Sequence, residues 1–203
     1  MSELKLESSL VNQEKRHGRG LLLLLLAMFS LPLLIVGAMY QFHWHPDGGS
    51  HGQLISPPQA LSLAELSTLQ GKTFGAVQWK NKWSLVYIGQ SGCDAACEAQ
   101  LHGLRQIHAA LDKEIGRAQR ILLVTSGAEA ESLARIQAQY PDLTILTGSA
   151  VDQFARRFAA GTQPGSTWLV DPLGNLMMRY PPGFEPRGMY KDLMRLMTYS
   201  WVG

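Results

Sequence analysis

Trp83-Ser84-Leu85-Val86-Tyr87-Ile88-Gly89-Gln90-Ser91-Gly92-Cys93-Asp94-Ala95-Ala96-Cys97 decides how the rest of this chain reads. An apolar run, Trp83 to Ile88, gives way to a polar, glycine-bearing break and then to helix-forming residues, the pattern of a buried strand feeding a helix N-terminus. The only two cysteines of the chain sit four residues apart at that junction. This reading puts both sulfurs in the first turn of the helix, on an exposed loop beside unpaired backbone N–H groups, where the helix dipole favours thiolate. At i and i+4 their Cβ atoms lie about 5–6 Å apart on one face, which suits a disulfide or a shared metal ion after a small adjustment. Two reduced cysteines filling apolar space are the third reading, and spacing alone leaves all three open.

Compartment bears on that choice. Residues 21–39 are uncharged, from Leu21-Leu22-Leu23-Leu24-Leu25-Leu26 to Val36-Gly37-Ala38-Met39. That is close to the roughly 20 residues a spanning helix needs and longer than the core of a cleaved signal peptide. Pro32 and Gly37 are tolerable in such a helix. Lys15, Arg16 and Arg19 precede it, whereas the first Lys or Arg after it is Lys72. The excess of positive charge on the N-terminal side predicts a cytoplasmic N-terminus and an exported remainder. In a bacterium this means a single pass through the inner membrane and a periplasmic domain, where dithiols oxidise readily. The expected organisation is a cytoplasmic tail over 1–20, an anchor over 21–40, a periplasmic linker over 41–53 and one folded domain over 54–203. A formal net charge of +2 leaves no basic field suited to nucleic acid.

The linker is aromatic and then glycine-rich, Tyr40-Gln41-Phe42-His43-Trp44-His45-Pro46-Asp47-Gly48-Gly49-Ser50-His51. Its aromatic residues fit a membrane interface with His43, His45 and His51 at the headgroups, in preference to a metal site. Beyond it, Pro57-Pro58 reads as a turn, Leu61 to Leu69 as a short segment, and the stretch from about Gln78 as an edge hairpin before strand 83–89. A helix follows from Asp94 to about Ile115, with Cys97, Leu101, Leu104, Ile107 and Leu111 on one face. Further on come a strand at 119–125, a helix at 129–140 stopped by Pro141, a strand at 142–146 and a helix through Val151, Phe154, Ala155 and Phe158. A hairpin pairs 167–170 with 176–180, and a last helix carries Met189, Leu193, Leu196 and Met197. The order β-α-β-α-β-α-β-β-α predicts an α/β fold with a central mixed sheet flanked by helices.

A cysteine pair at the first strand–helix junction of such an arrangement resembles the thioredoxin-like fold. More specifically, the chain resembles the Sco/SenC family of membrane-anchored copper proteins of cytochrome c oxidase assembly. Cys93-Asp94-Ala95-Ala96-Cys97 and Trp168-Leu169-Val170-Asp171-Pro172-Leu173-Gly174 carry the likeness. It is also similar to small anchored proteins encoded in oxidase-assembly gene clusters, through His51-Gly52-Gln53-Leu54-Ile55-Ser56-Pro57-Pro58 and Met189-Tyr190-Lys191-Asp192-Leu193-Met194-Arg195-Leu196. The resemblance implies a Cx3C dithiol that acts in oxidase assembly, with oxidase subunits or assembly factors as partners. It implies copper as the metal, with Cys93 and Cys97 as ligands, or thiol–disulfide oxidoreductase chemistry with Cys93 attacking and Cys97 resolving. A general exported oxidoreductase and a non-catalytic assembly factor with a structural disulfide are the alternatives.

The chain departs from the Sco pattern in one respect. Sco proteins add a histidine from the loop before the Asp-Pro-x-Gly hairpin, and here that loop is Gly161-Thr162-Gln163-Pro164-Gly165-Ser166. At about 100° per residue His102 falls on the helix face opposite Cys93, while His108 lies about 16 Å along the axis from Cys97. Neither completes a three-ligand site; a thiolate pair alone still suits Cu(I) but not Cu(II). Gln163-Pro164 falls near the position of the cis-proline loop of thioredoxin-like proteins, and an ordinary trans turn is the equal alternative. Met177, Met178, Met189, Met194 and Met197 read as core. Asp94 complements the helix dipole, yet its charge opposes a neighbouring thiolate.

Overall fold

The computed structural model describes residues 3–42, 49–63, 65–89, 93–125, 127, 129–158 and 165–200, with side chains from residue 21 onward. His43, His45, Gln163 and Pro164, singled out above, lie outside the described residues. The chain divides into two compact units, Met1–Gly48 and Gly49–Gly203.

In the first unit, helix α1 spans Glu3–Gln41. Its segment Leu21–Gln41 has a mean hydropathy of 2.7 and is long and apolar enough to cross a membrane. The leucines from Leu21 to Leu34 are exposed, as a lipid-facing helix requires. The Ser30 hydroxyl donates to the Leu26 carbonyl, so this polar group is satisfied within the helix. The expected anchor is therefore one part of a longer helix.

In the second unit, β1 (Gln53–Ala60), β2 (Leu66–Thr68) and β3 (Thr73–Phe74) precede the short helix α2 (Ala76–Trp79). Then come β4 (Trp83–Gly89), α3 (Ala95–Ala110), a 3-10 segment (Asp112–Arg117), β5 (Ala118–Val124), α4 (Ala130–Gln139) and β6 (Leu143–Thr147). α5 (Ser149–Ala155), β7 (Thr167–Val170), β8 (Asn175–Tyr180) and α6 (Pro186–Tyr199) complete it. The strands form one mixed sheet in the order β1-β8-β7-β4-β5-β6-β2-β3. β4, β5 and β6 are parallel, and the other pairings are antiparallel.

Alternation along the central strands sends side chains to two cores. Leu85, Tyr87 and Leu122 face α3, α4 and α6, together with Leu101, Leu104, Ile136, Met189 and Leu193. Val86, Ile121, Leu123 and Trp168 face the other side, against Trp79, Phe154 and Phe158. There Phe74, Trp79, Phe154, Phe158 and Trp168 form a continuous ring series with centroids 5.3 to 5.7 Å apart. Each such pair contributes about 0.5–1.5 kcal/mol beyond its burial. The methionines are core residues: Met178, Met189 and Met197 are buried, and Met177 and Met194 pack against the same cluster.

From β4 to α6 the element order matches the sequence expectation. Before β4 it differs. Pro57 and Pro58 lie within β1, at an edge of the sheet where a residue without an N–H does not break a central ladder. The edge hairpin is β2–β3, and Gln78 belongs to α2, its side-chain oxygen accepting the Gly75 N–H at 2.9 Å. The expected helix to Ile115 ends at Ala110. Asp112 takes a left-handed φ of 47°, which a continuing α-helix does not admit, and the chain tightens into the 3-10 segment.

His51 also falls differently, for it belongs to the folded unit. The N–H groups of His51 and Gly52 donate to Asp192 Oδ2 at 2.8 and 2.9 Å, and the Tyr180 hydroxyl donates to the same oxygen at 3.1 Å. His51 Nδ1 lies 3.4 Å from the other carboxylate oxygen. Burial, then the charge and hydrogen bond of Asp192, hold the Tyr180 phenol well above its ordinary pKa. Two glycines permit this approach. A Cβ on Gly52 would sit 2.5 Å from the Tyr180 ring, and one on Gly188 would sit 2.8 Å from the His51 ring.

Candidate redox site at the β4–α3 junction

β4 is buried along nearly its whole length and therefore reads as one apolar run. Its C-terminal end delivers the chain to Cys93, and Asp94 caps α3 by accepting the Cys97 N–H on Oδ1 at 2.9 Å. Cys93 and Cys97 are joined in a disulfide with a Cα–Cα distance of 5.1 Å. Of the readings that spacing left open, the structure adopts the closed pair.

Two details depart from expectation. Cys93 precedes the N-cap, so only Cys97 belongs to the helix. The pair is also covered: Cys93 is 8% exposed and Cys97 2%, and both join the core cluster that holds Tyr87 and Leu101. The reason is the stripe itself, because Cys97 shares its helix face with Leu101 and Leu104, and that face is the one pressed on the sheet.

A surface depression of about 400 Å³ lies over the junction, its walls formed by Tyr87, Asp94, Cys97, Gly165, Pro182 and Gly183. Tyr87 comes from β4, Gly165 from the turn before β7, and Pro182 and Gly183 from the β8–α6 loop. The loop holding Gly165 was expected here from the resemblance, whereas Tyr87, Pro182 and Gly183 were not, since only strand order brings these segments together. Burial, reinforced by the nearby Asp94 charge, raises the pKa of the Tyr87 phenol, so it stays protonated at neutral pH. The depression carries one carboxylate and no cationic side chain.

The histidines lie elsewhere. His102 is paired with Gln106 at 3.1 Å on the exposed face of α3. His108 contacts the Ala118 carbonyl at 3.2 Å and Asp142 at 3.6 Å, beside the opposite end of the parallel strands. His51 is held at Asp192. Among the described residues no group of three or more His, Cys, Asp or Glu side chains is placed to share a metal ion. At the junction the described residues offer two sulfurs and no imidazole, a soft pair whose chemistry when reduced fits Cu(I) better than Cu(II).

Comparison with known proteins agrees with this fold. A family model described as "Transmembrane-like, thioredoxin-like, C-terminal domain" matches residues 83–200, more than half of the chain. Copper-bound yeast Sco1 superposes with a TM-score of 0.62 at 17% identity, over 71% of this chain and 96% of that one. Apo Sco1 from Thermus thermophilus gives 0.61 at 22% identity, over 72% and 96%. BsSco, described as a member of the Sco family of cytochrome c oxidase assembly proteins with a disulfide switch, gives 0.57 at 19% identity, over 73% and 99%. At these identities the likeness is one of fold. No curated protein matches the chain in sequence.

Proposed function

This chain belongs to the transmembrane-like, thioredoxin-like family, and from that premise we propose that Cys93 and Cys97 are a redox-active pair serving cytochrome c oxidase assembly. Thiol–disulfide exchange is its chemistry, and reduced Cu(I) is the cargo its two thiolates suit. The observation that carries the reading is the disulfide at the β4–α3 junction of a Sco-like fold. Lys15, Arg16 and Arg19 before the apolar helix support a periplasmic domain tethered to a bacterial inner membrane.

In the reductive direction the Cys93 thiolate attacks one sulfur of a partner disulfide and expels the partner's other sulfur as thiolate. Cys97 then attacks Cys93 Sγ in the mixed disulfide, releases the partner's remaining thiolate and closes the intramolecular bond. Two electrons pass to the partner, and the two protons lost by the cysteines end on its thiols. Cys93, which precedes the helix N-cap, takes the first attack, and Cys97, held in the packed stripe of the helix, resolves. A donor set of two sulfurs favours exchange over lasting copper storage.

The test is an anaerobic Cu(I) titration of the reduced full chain against a competing chelator, run beside insulin reduction and repeated on a Cys93→Ser/Cys97→Ser variant. Stoichiometric uptake or turnover that the variant loses is expected. Turnover without uptake assigns a thiol–disulfide oxidoreductase. Neither activity, with oxidase maturation intact in the double variant, overturns the proposal and leaves a structural disulfide.

A further inference from the structure

The segment that follows His51-Gly52 builds a second site, on the sheet face away from the disulfide. β1 pairs with β8 through Leu54↔Met178 and then through Gln59↔Leu176, so Ile55, Ser56, Pro57 and Pro58 span a gap that Met177 alone fills on β8. This bulge at the edge leaves a cavity of about 190 Å³, lined by Gln53, Gln59, Arg157, Phe158, Trp168 and Arg179 among others. Gln53, Arg179 and Trp168 are direct cross-strand partners on β1, β8 and β7, which fixes them in one row. Arg179 Nε donates to Gln53 Oε1 at 3.1 Å, and its guanidinium lies 6.0 Å from the Trp168 ring centroid. Phe158 and Trp168, 1% and 4% exposed, form an apolar floor. Arg157, just beyond α5, also lines the cavity, and among the described residues no acidic side chain does.

Two arginines and two glutamines line this small cavity, Arg179 already giving Nε and Nη2 to Gln53 Oε1, and such a lining suits an oxyanion because the planar fork of Arg, here Arg157, matches phosphate and carboxylate geometry. We propose that this cavity binds a phosphate oxyanion, supplied by the headgroup of an anionic phospholipid. The volume holds a headgroup and excludes an acyl chain. A domain carried on a membrane-crossing helix meets such headgroups at high effective concentration, which makes a modest site useful. Occupancy is independent of the state of Cys93 and Cys97, which lie against the other core.

Native mass spectrometry of the full chain in neutral detergent tests this, with dihexanoyl-phosphatidylglycerol, dihexanoyl-phosphatidylcholine, inorganic phosphate and an acidic peptide as probes. Phosphatidylglycerol is expected to bind in preference to phosphatidylcholine, and Arg157→Gln is expected to weaken it about tenfold. Arg157→Lys, which keeps the charge and loses the fork, should recover only part of the affinity. Inorganic phosphate that binds as tightly as the lipid, and is lost equally in Arg157→Gln, supports the oxyanion site and overturns the lipid as its source. Equal phosphatidylglycerol binding by wild type and Arg157→Gln, or binding of the acidic peptide alone, overturns the site. Unchanged disulfide reduction in Arg157→Gln separates its failure from that of the redox proposal.

Discussion

Asp94 and Asp192 are both carboxylates that accept backbone N–H groups, and the surroundings of each give it a different task. Asp192, 5% exposed, takes three donors on one oxygen and pins the entry of the domain to α6. Asp94 is exposed and takes one, the Cys97 N–H, beside the disulfide. A buried acceptor with several partners cannot let go without stranding each of them, whereas a solvated cap trades its bond for water at little loss. The contrast separates a fixed joint from a junction whose solvated cap is free to adjust.

The largest way to break the contrast is Asp192→Ala. It leaves two backbone donors and the Tyr180 hydroxyl without their acceptor, and about 3 kcal/mol or more should be lost, read as a lowered denaturant midpoint of the full chain. A loss below about 1 kcal/mol would show that water replaces the carboxylate and that the joint is not sealed. Gly52→Ala probes the same joint sterically. Its Cβ meets the Tyr180 ring, so about 1–3 kcal/mol should go, and trimming the partner in Gly52→Ala/Tyr180→Leu should not restore it fully because the hydroxyl donor leaves too.

Asp94→Ala should cost only about 1 kcal/mol, the worth of an N-cap, with the disulfide retained. Asp94→Ser, which keeps a capping oxygen, should recover most of that in the same unfolding measurement.

The smallest effect comes from acid, at the end of the sheet away from the sulfurs. Burial, aided by the Arg120 charge, pushes the His108 pKa down, against the opposing Ala118 carbonyl and Asp142. A depressed histidine contributes stability that is complete above its ordinary value of 6.5 and is lost as pH falls through the folded value. At Asp142 burial pushes the carboxyl up, yet the hydrogen bond and charge of Arg120 outweigh it and hold the group below 3.8. Its contribution is present above 3.8 and is lost below the folded value. The denaturant midpoint should therefore fall in two steps on acidification, each under about 1 kcal/mol because Asp142 is half-exposed. Constancy down to pH 5 would remove the first step, and Asp142→Asn should abolish the second.

Legibility in the sequence followed the kind of signal each residue carries. β4, α3 and the β7–β8 hairpin were readable because Trp83 to Ile88, the Cys97–Leu101–Leu104–Ile107 stripe and Asp171-Pro172-Leu173-Gly174 state their period or turn locally. Asp171 itself accepts the Leu173 and Asn175 N–H groups at 2.9 and 2.7 Å, the local bonding expected of a turn aspartate. The segment before β4 was not readable. Pro57-Pro58 carries the same local preference in a turn as in a bulged edge strand, and its place was settled by β8, more than 110 residues away. The burial of the disulfide was half stated: the stripe put Cys97 on the packed face, while the helix start suggested exposure, and packing prevailed.

Local signals fix the apolar helix long enough to cross a membrane, the pair of sulfurs at a strand–helix junction and the order of elements from β4 onward, because each rests on residues within one or two turns of one another. Long-range packing is what seals His51 and Gly52 onto Asp192, brings Tyr87, Gly165 and Pro182 together over Cys97, and sets Arg157 and Arg179 on one cavity. Those meetings depend on which strands lie side by side in the sheet, and hydrogen bonding between segments far apart in the chain leaves no local trace in either of them.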